Sequence, residues 1–210
     1  MQKAETIDHI LAARVAPVVR TSSAELAARA VEVLAAEGLS LFEITLTIPG
    51  AMALIGTLVK NTELCIGVGT VLSADQGRQA IEAGASFVVS PAFVPGLVEA
   101  APEVPVALGA ATPTEALRAQ EAGADFVKVF PAAQLGGPGF VKALRSVYPG
   151  MRIMPTGGIG PADIPAYLNA GAACLGMGGN LVNEAGLKAG EDQVIRAAAR
   201  EVLARVEAAE

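Results

Sequence analysis

Eight short apolar runs alternate along the chain with longer segments of helical period. The runs are VAPVVR (15–20), LFEITLT (41–47), LCIGVGTV (64–71), FVVSP (87–91), VPVALGA (104–110), FVKVFP (126–131), RIMPTGG (152–158) and ACLGMGG (173–179). Strands that are apolar throughout and separated by helices are typical of a parallel sheet covered on both faces. Eight such units predict an α/β fold, a (β/α)8 TIM barrel that forms a single domain over residues 1–210, with one helix before the barrel and one at its C-terminus. An open doubly wound sheet is the alternative, but it would normally place a glycine-rich turn after the first strand, and none follows VAPVVR.

Composition excludes several classes of function. Hydrophobic residues make up 52% of the 210 residues and charged residues only 17%, which favours a large core over disorder. A net charge of −6 and an aromatic content of 4% argue against nucleic acid as a partner. No apolar stretch approaches the eighteen residues of a membrane span, and the start predicts an amphipathic helix rather than a signal peptide. We therefore expect a cytoplasmic protein with neither a membrane nor a nucleic-acid partner.

The two cysteines, Cys65 and Cys174, both lie in apolar runs. We expect them to be buried free thiols of a reducing compartment. A thiol nucleophile would need a nearby histidine, and His9, the only histidine, lies in the predicted first helix. The sequence holds no HxH, HExxH or Cys/His ligand spacing, so we expect no metal and no cofactor.

Four helix-to-strand junctions have similar sequences: EGLSLFE, AGASFVV, AGADFVK and AGAACLG. Counting five residues on from the glycine of each junction gives Glu43, Val89, Lys128 and Gly176, on the second, fourth, sixth and eighth strands. The inward side chains of alternate strands share one layer in this type of barrel. Glu43 and Lys128 are thus predicted to meet inside the barrel, although a bulge in either strand would break this register.

Lys128 is the only one of five lysines that lies inside an apolar strand. It could point outward to water, or form a purely structural ion pair with Glu43. A functional interpretation is favoured because removal of water favours the neutral form of a lysine amine, which can attack a carbonyl. The resulting Schiff base withdraws electrons from the neighbouring carbon, and a carboxylate can carry protons. The pair therefore suggests carbon–carbon bond making or breaking beside a ketone.

Glycine-rich turns end the last two strands, in PTGGIG and GMGGN. Glycines allow backbone amides to approach an anion closely, and the loops after strands 7 and 8 commonly bind phosphate in this barrel. Ordinary turn glycines are the alternative. Two further polar residues lie at strand ends. The hydroxyl of Thr70 could bind a substrate carboxylate, or it could only form a hydrogen bond within its own loop. Arg20 could bind an anion, or it could only be solvated at the end of its strand.

The motifs FEITLT, GVGTV, VSP, FVKVFPA and MPTGGI together resemble the 2-keto-3-deoxy-6-phosphogluconate (KDPG) and 4-hydroxy-2-oxoglutarate aldolases, in order along nearly the whole chain. The resemblance implies a class I, metal-independent aldolase of the Entner–Doudoroff pathway. Such enzymes cleave the 2-keto acid phosphate KDPG to pyruvate and glyceraldehyde 3-phosphate and form homotrimers. Cleavage of 4-hydroxy-2-oxoglutarate to pyruvate and glyoxylate, or both activities, is the close alternative. A non-catalytic phosphate-binding barrel or an oligomeric scaffold is the remote one.

The resemblance also assigns roles to residues. Lys128 would form the Schiff base, Glu43 would be the general acid and base, and Thr156 would favour gluconate-type over galactonate-type substrates. The implied substrate-binding residues are Arg20, Thr47, Thr70, Pro91, Phe130, Thr156, Gly157, Gly158, Gly178 and Gly179. Two of these depart from many family members, which have arginine in place of Thr47 and serine in place of Gly179. Weaker binding of the phosphate, by one hydrogen bond, is expected from the second departure.

Overall fold

Residues 2–209, which the computed structural model describes, form an eight-stranded parallel sheet closed into a barrel. The strands follow the order β7-β6-β5-β4-β3-β2-β1-β8. Between β7 and β8 the seam consists of two isolated bridges, Ile153 with Ala172 and Thr156 with Gly176. The predicted (β/α)8 barrel is therefore confirmed, and the open sheet is excluded. That residues 1–210 form one domain stays a prediction, since its first and last residues lie outside the described range.

Each of the eight apolar runs contains one strand. The strands are β1 Val15–Val19, β2 Leu41–Thr45, β3 Cys65–Gly69, β4 Val88–Val89, β5 Val106–Ala110, β6 Phe126–Val129, β7 Ile153–Pro155 and β8 Leu175–Met177. The α-helices are α1 Lys3–Ala13, α2 Ala24–Ala35, α3 Ala51–Leu58, α4 Ala74–Glu82, α5 Leu97–Ala100, α6 Pro113–Glu121, α7 Gly137–Val147, α8 Ile164–Asn169, α9 Glu184–Ala189 and α10 Asp192–Glu207, and a 3-10 turn spans Pro161–Asp163. None of the helices within residues 2–209 is long and apolar enough to cross a membrane.

The four similar junctions share one backbone conformation. Gly38, Gly84, Gly123 and Gly171 have φ values of 105°, 99°, 85° and 95°. These left-handed values end a helix at low cost only in glycine, which lacks a Cβ atom. Because each helix ends in the same way, the following strand begins at a similar distance from its glycine. This is why counting from the glycine places equivalent strand residues in one layer.

The first helix closes the N-terminal end of the barrel. Ile10 of α1 is buried among inward side chains of the strands. The nine strand-side members of this cluster, all buried, are Ala16, Leu41, Cys65, Phe87, Val89, Ala107, Phe126, Met154 and Cys174. His9 of the same helix forms a hydrogen bond of 3.0 Å with Ser40. The predicted N-terminal helix is thus confirmed, and the lone histidine has a structural partner.

The predicted C-terminal helix is also present, and it covers the chain's own barrel. α10 packs against α2 and α8 through its buried residues Ile195, Ala199 and Val202. Glu37, just after α2, accepts hydrogen bonds from Arg196 at 2.8 Å and from Arg200 at 2.6 Å. Apolar packing and ion pairs therefore both attach this helix to the rest of the fold.

Candidate active site

Lys128 and Glu43 meet inside the barrel, as the junction register predicts. The Nζ atom of Lys128 on β6 lies 3.2 Å from Oε1 and 3.4 Å from Oε2 of Glu43 on β2. The lysine is 4% exposed and the glutamate 1%. Val89 is buried in the interior cluster, while Gly176 adds no side chain. The layer thus holds one buried ion pair, and each charged group satisfies the other.

Three glycines on the strands stand where a side chain would collide with residues of the site. An added Cβ atom at Gly69 would collide with the carboxylate of Glu43. At Gly109, which is paired in register with Lys128, it would collide with the backbone of Pro91. At Gly176 it would collide with the side chain of Thr156. The side chains of Glu43 and Thr156 and the backbone of Pro91 therefore occupy space that side chains at these three positions would fill.

A cavity of about 250 Å³ opens above the pair, at the C-terminal ends of the strands. Its lining contains Lys128 and nine of the ten substrate-binding residues predicted from the sequence: Arg20, Thr70, Pro91, Phe130, Thr156, Gly157, Gly158, Gly178 and Gly179. Glu43 lies behind Lys128 rather than in the lining. Thr47, the tenth, does not line the cavity but contacts Arg20.

Arg20, Thr47 and Thr70 form a hydrogen-bonded group at the mouth. The guanidinium of Arg20 donates to Thr47 Oγ1 at 3.3 Å and to Thr70 Oγ1 at 3.1 Å. Thr47 in turn bonds to the buried Thr45 at 2.9 Å. The cation is thereby held over the cavity by residues from the ends of β2 and β3. This arrangement places a positive charge and a hydroxyl together, which suits a carboxylate.

Thr70 has a φ of 60°, in the left-handed region that β-branched residues rarely adopt. Such a conformation costs about 1–3 kcal/mol and is concentrated at functional sites. In this structure, the left-handed conformation of Thr70 occurs together with the contact between its hydroxyl and Arg20 at the cavity. The strain is therefore a second, independent sign that this part of the barrel has been shaped for binding.

The two glycine turns follow β7 and β8, and β8 pairs with β1, the strand that precedes Arg20. Gly157 and Gly158 have φ values of 99° and 75°. Among residues 2–209, no backbone or side-chain acceptor is found for the amide N–H of Gly158 or Gly179. Such free amides at the ends of adjacent strands are suited to binding an anion. Gly179 has no left-handed φ and open space around its Cβ position, so a larger residue would fit there.

Three lining residues were not predicted from the sequence: Val18, Ile159 and Asn180. The side chain of Asn180 donates to the carbonyl oxygen of Ile159 at 3.0 Å, which joins the two glycine turns. Asn180 directly follows GMGG in the sequence. Its position beside the predicted anion site could therefore have identified it as a lining residue. Gly69 was also missed. The sequence did contain an indication of it, since Gly67 and Gly69 are two residues apart and therefore lie on the same face of β3.

The cysteines take no part in this site. Cys65 and Cys174 are buried free thiols, as predicted. Burial raises the pKa of each thiol to about 12. Both thiols are therefore protonated at neutral pH, and neither lines the cavity.

Comparison with known proteins identifies the family. Residues 7–198 match the aldolase family described as KDPG and KHG aldolase, where KHG is 2-keto-4-hydroxyglutarate. The chain is 36% identical over 194 residues to the 2-dehydro-3-deoxy-phosphogluconate aldolase of Treponema pallidum, covering 90% of this chain and 92% of the relative. It is 35% identical over 193 residues to the KHG/KDPG aldolase of Escherichia coli, covering 90% of each.

A solved structure agrees with this assignment. The KDPG aldolase of Legionella pneumophila, with pyruvate captured as a covalent carbinolamine intermediate, superposes with a TM-score of 0.85 at 31% identity. The superposition covers 93% of this chain and 97% of that one. The family match, the two relatives and the fold therefore lead to one conclusion: the chain belongs to the KDPG and KHG aldolase family.

Proposed function

We propose that the protein is a class I aldolase that cleaves KDPG to pyruvate and glyceraldehyde 3-phosphate. The observation that carries this proposal is the amine of Lys128, buried at the cavity and 3.2 Å from a carboxylate oxygen of Glu43. Family membership supports it, since the relative from Treponema pallidum has the corresponding name. The carbinolamine of pyruvate in the Legionella pneumophila structure supports covalent chemistry at an amine.

The reaction begins with addition of the Lys128 amine to the C2 ketone of the substrate. Loss of water from the carbinolamine gives a protonated imine, which is an electron sink next to C3. Glu43 is placed to take and return the protons of these steps, because both of its oxygens lie within 3.4 Å of Nζ. The imine thus replaces the metal ion that other aldolases use to polarise the ketone.

Carbon–carbon cleavage follows from the same two groups. A carboxylate takes the proton of the C4 hydroxyl, the C3–C4 bond breaks, and its electron pair flows to the imine nitrogen to give an enamine. Glyceraldehyde 3-phosphate leaves at this point. Protonation of the enamine at C3 and hydrolysis of the imine then release pyruvate and restore Lys128. Glu43 acts as base in the cleavage and as acid in the protonation.

The two ends of the substrate would bind to different parts of the mouth. The pyruvate carboxylate would be held by Thr70 and Arg20, which Thr47 orients. The phosphate would be held by backbone amides of the glycine turns, at Gly157–Gly158 and Gly178–Gly179. Pro91, Phe130 and Thr156 would contact the carbon chain between them.

Cleavage of 4-hydroxy-2-oxoglutarate is the second candidate, and the name of the Escherichia coli relative includes both substrates. The paired glycine turns favour the phosphorylated substrate, because a glyoxylate product has no phosphate to fill them. Comparison of kcat/KM for the two substrates decides between them. We also propose a homotrimer located in the cytoplasm, as the resemblance to the family implies; light scattering of the purified protein measures the number of subunits.

The proposal is tested by trapping the imine. Borohydride added together with pyruvate reduces an imine to a stable amine, which peptide mass spectrometry locates. We expect the label on Lys128 and no label in the Lys128→Ala variant. A wild-type protein that stays unlabelled, or equal labelling of Lys128→Ala, would show that this site is not a Schiff-base centre and favour a non-catalytic barrel.

A further inference from the structure

Glu184 connects two segments of the mouth without lining the cavity. Its Oε1 atom accepts a hydrogen bond from the backbone N–H of Ser22 at 3.0 Å and another from the Ser22 hydroxyl. Lys188, one turn later on α9, contacts the same oxygen at 2.8 Å. Glu184 is the first residue of α9, and it thus bonds the segment between β1 and α2 to the helix that follows β8. We call its contact with Ser22 the Glu184 tie.

The segments joined by this tie carry the two anion-binding parts of the site. Ser22 lies two residues after Arg20, whose guanidinium is held by Thr47 and Thr70. Glu184 lies five residues after Gly179 in the turn that follows β8. Arg20 is therefore anchored on its other side by the ends of β2 and β3. β1 and β8 are paired in register up to Pro17 and Met177, and beyond these pairs the tie is the hydrogen-bonded contact found between the two segments within residues 2–209.

The turn after β8 is held together by its own hydrogen bonds and by buried side chains. The tie is therefore expected to position the whole turn. The carbonyl oxygen of Gly178 accepts hydrogen bonds from Leu181 at 2.8 Å and from Val182 at 2.9 Å. Both of these side chains are buried. On the far side, the only regular contacts across the β7–β8 seam are isolated bridges within the described residues. The turn is thus held on the β1 side by strand pairing and the tie, and on the β7 side by the hydrogen bond from Asn180 to Ile159.

The tie holds through the neutral pH range. Hydrogen bonds from Lys188 and Ser22 lower the pKa of Glu184 from 4.5 to about 2. The side chain of Glu184 is 30% exposed and does not line the cavity. It therefore acts as a permanent acceptor that carries no proton in an assay near pH 7.

We propose that Glu184 is a positioning residue, which fixes the Gly178–Gly179 turn at the distance from Arg20 that a substrate with an anion at each end requires. The inference rests on the proposed aldolase function, and it concerns binding rather than chemistry. Lys128 and Glu43 lie on β6 and β2 and make no contact with the tie. A substrate with one anion, such as pyruvate, spans no such distance and should not depend on Glu184.

The experiment compares KDPG with pyruvate in three variants. Glu184→Ala removes the acceptor, and we expect KM for KDPG to rise by about 3- to 10-fold, the effect of one or two hydrogen bonds, with kcat retained. The pyruvate concentration that half-saturates borohydride trapping at Lys128 should stay at the wild-type value. Glu184→Gln keeps an amide oxygen where Oε1 lies, so KM for KDPG should return towards wild type. Lys188→Met removes the other partner of Glu184 but keeps the tie, and it should behave as wild type.

Different failures have different meanings. An unchanged KM for KDPG in Glu184→Ala would overturn the positioning role. An equal rise of KM for KDPG in Glu184→Gln and Glu184→Ala would also overturn the positioning role. It would show that the charge of residue 184, and not the hydrogen bond to Ser22, matters. A parallel weakening of pyruvate trapping would indicate general damage to the barrel and also contradict the inference. Absence of trapping in the wild-type protein would instead overturn the proposed function, and this inference with it.

Discussion

The carboxylate of Glu43 lies against the backbone of Gly69, in the space that a side chain at residue 69 would occupy. Gly69 has no left-handed φ, so its backbone does not require glycine. What requires glycine is the carboxylate on the neighbouring strand. The small residue on β3 thus determines where the carboxylate of Glu43 on β2 can lie relative to Lys128.

Gly69→Ala should therefore lower activity more than stability. The new methyl group would push Glu43 away from Lys128, and we expect kcat to fall by about 10-fold or more, since proton transfer by a positioned group contributes about 10²–10⁴-fold. Steady-state kinetics and urea unfolding measure the two effects. Gly139→Ala is the matched control, because its Cβ position on α7 meets no atom within 4 Å. Wild-type kcat in Gly69→Ala would contradict the proposed role of Glu43.

Glu43→Gln should separate imine formation from turnover. Glutamine has nearly the same shape as glutamate but cannot carry the proton of the C4 hydroxyl. We expect borohydride still to trap pyruvate on Lys128, while kcat for KDPG falls by about 10²–10⁴-fold. Mass spectrometry and an aldehyde assay give the two readouts. Full turnover in this variant would mean that the buried ion pair is only structural.

Thr70→Gly should weaken binding without destabilising the fold. Glycine adopts a φ of 60° without strain, and relief of that strain, about 1–3 kcal/mol, offsets the entropy cost of glycine, about 0.5–1 kcal/mol. The free energy of unfolding should thus stay level or rise, whereas loss of the hydroxyl raises the pyruvate concentration needed for trapping. Thr70→Ser keeps the hydroxyl and serves as the control. A destabilised Thr70→Gly protein with intact pyruvate binding would refute this assignment.

The attachment of α10 should depend on acidity. Hydrogen bonds from Arg200 and Arg196 lower the pKa of Glu37 from 4.5 to about 2. A carboxyl whose pKa is lowered by folding stabilises the fold fully above its unfolded pKa, and this stabilisation is lost as the pH falls from about 4.5 through about 2. Glu37→Gln should accordingly be less stable than wild type at pH 7, and the difference should shrink as the pH falls from about 4.5 towards about 2. Urea unfolding at several pH values measures it.

The control for this prediction is Glu121→Gln, which changes an exposed glutamate for which no ion pair is found within residues 2–209. Its stability relative to wild type should not change between pH 7 and pH 2. An equal pH dependence in both variants would show that the general charge of the protein, and not the contact between Glu37 and α10, causes the effect.

Much of this architecture follows from local sequence. Apolar runs predict the eight strands because a buried parallel strand needs apolar residues on both faces. The register of Glu43 and Lys128 follows from glycines that end helices in one conformation. What local patterns could not supply are contacts between distant segments. Asn180 bonding to Ile159, and α10 packing on α2, depend on how loops and helices meet after the barrel has closed.

Thr47 illustrates the same limit within the site. The resemblance to the family implies that Thr47, which follows β2, binds the substrate. In the structure it lies outside the cavity lining and supports Arg20 instead. Whether a strand-end side chain reaches the cavity depends on the neighbouring loop, here the one that carries Arg20. Periodicity within a single strand does not contain that information.

The helix that seals the N-terminal end of the barrel has a kinetic consequence. Ile10 and the interior cluster fill that end, and the cavity that Lys128 lines lies at the C-terminal ends of the strands. The aldehyde fragment formed on cleavage lies between the lysine-bound enamine and the mouth of that cavity. Departure must therefore be ordered, aldehyde first and pyruvate last, and pyruvate in excess should compete directly with KDPG for the free enzyme.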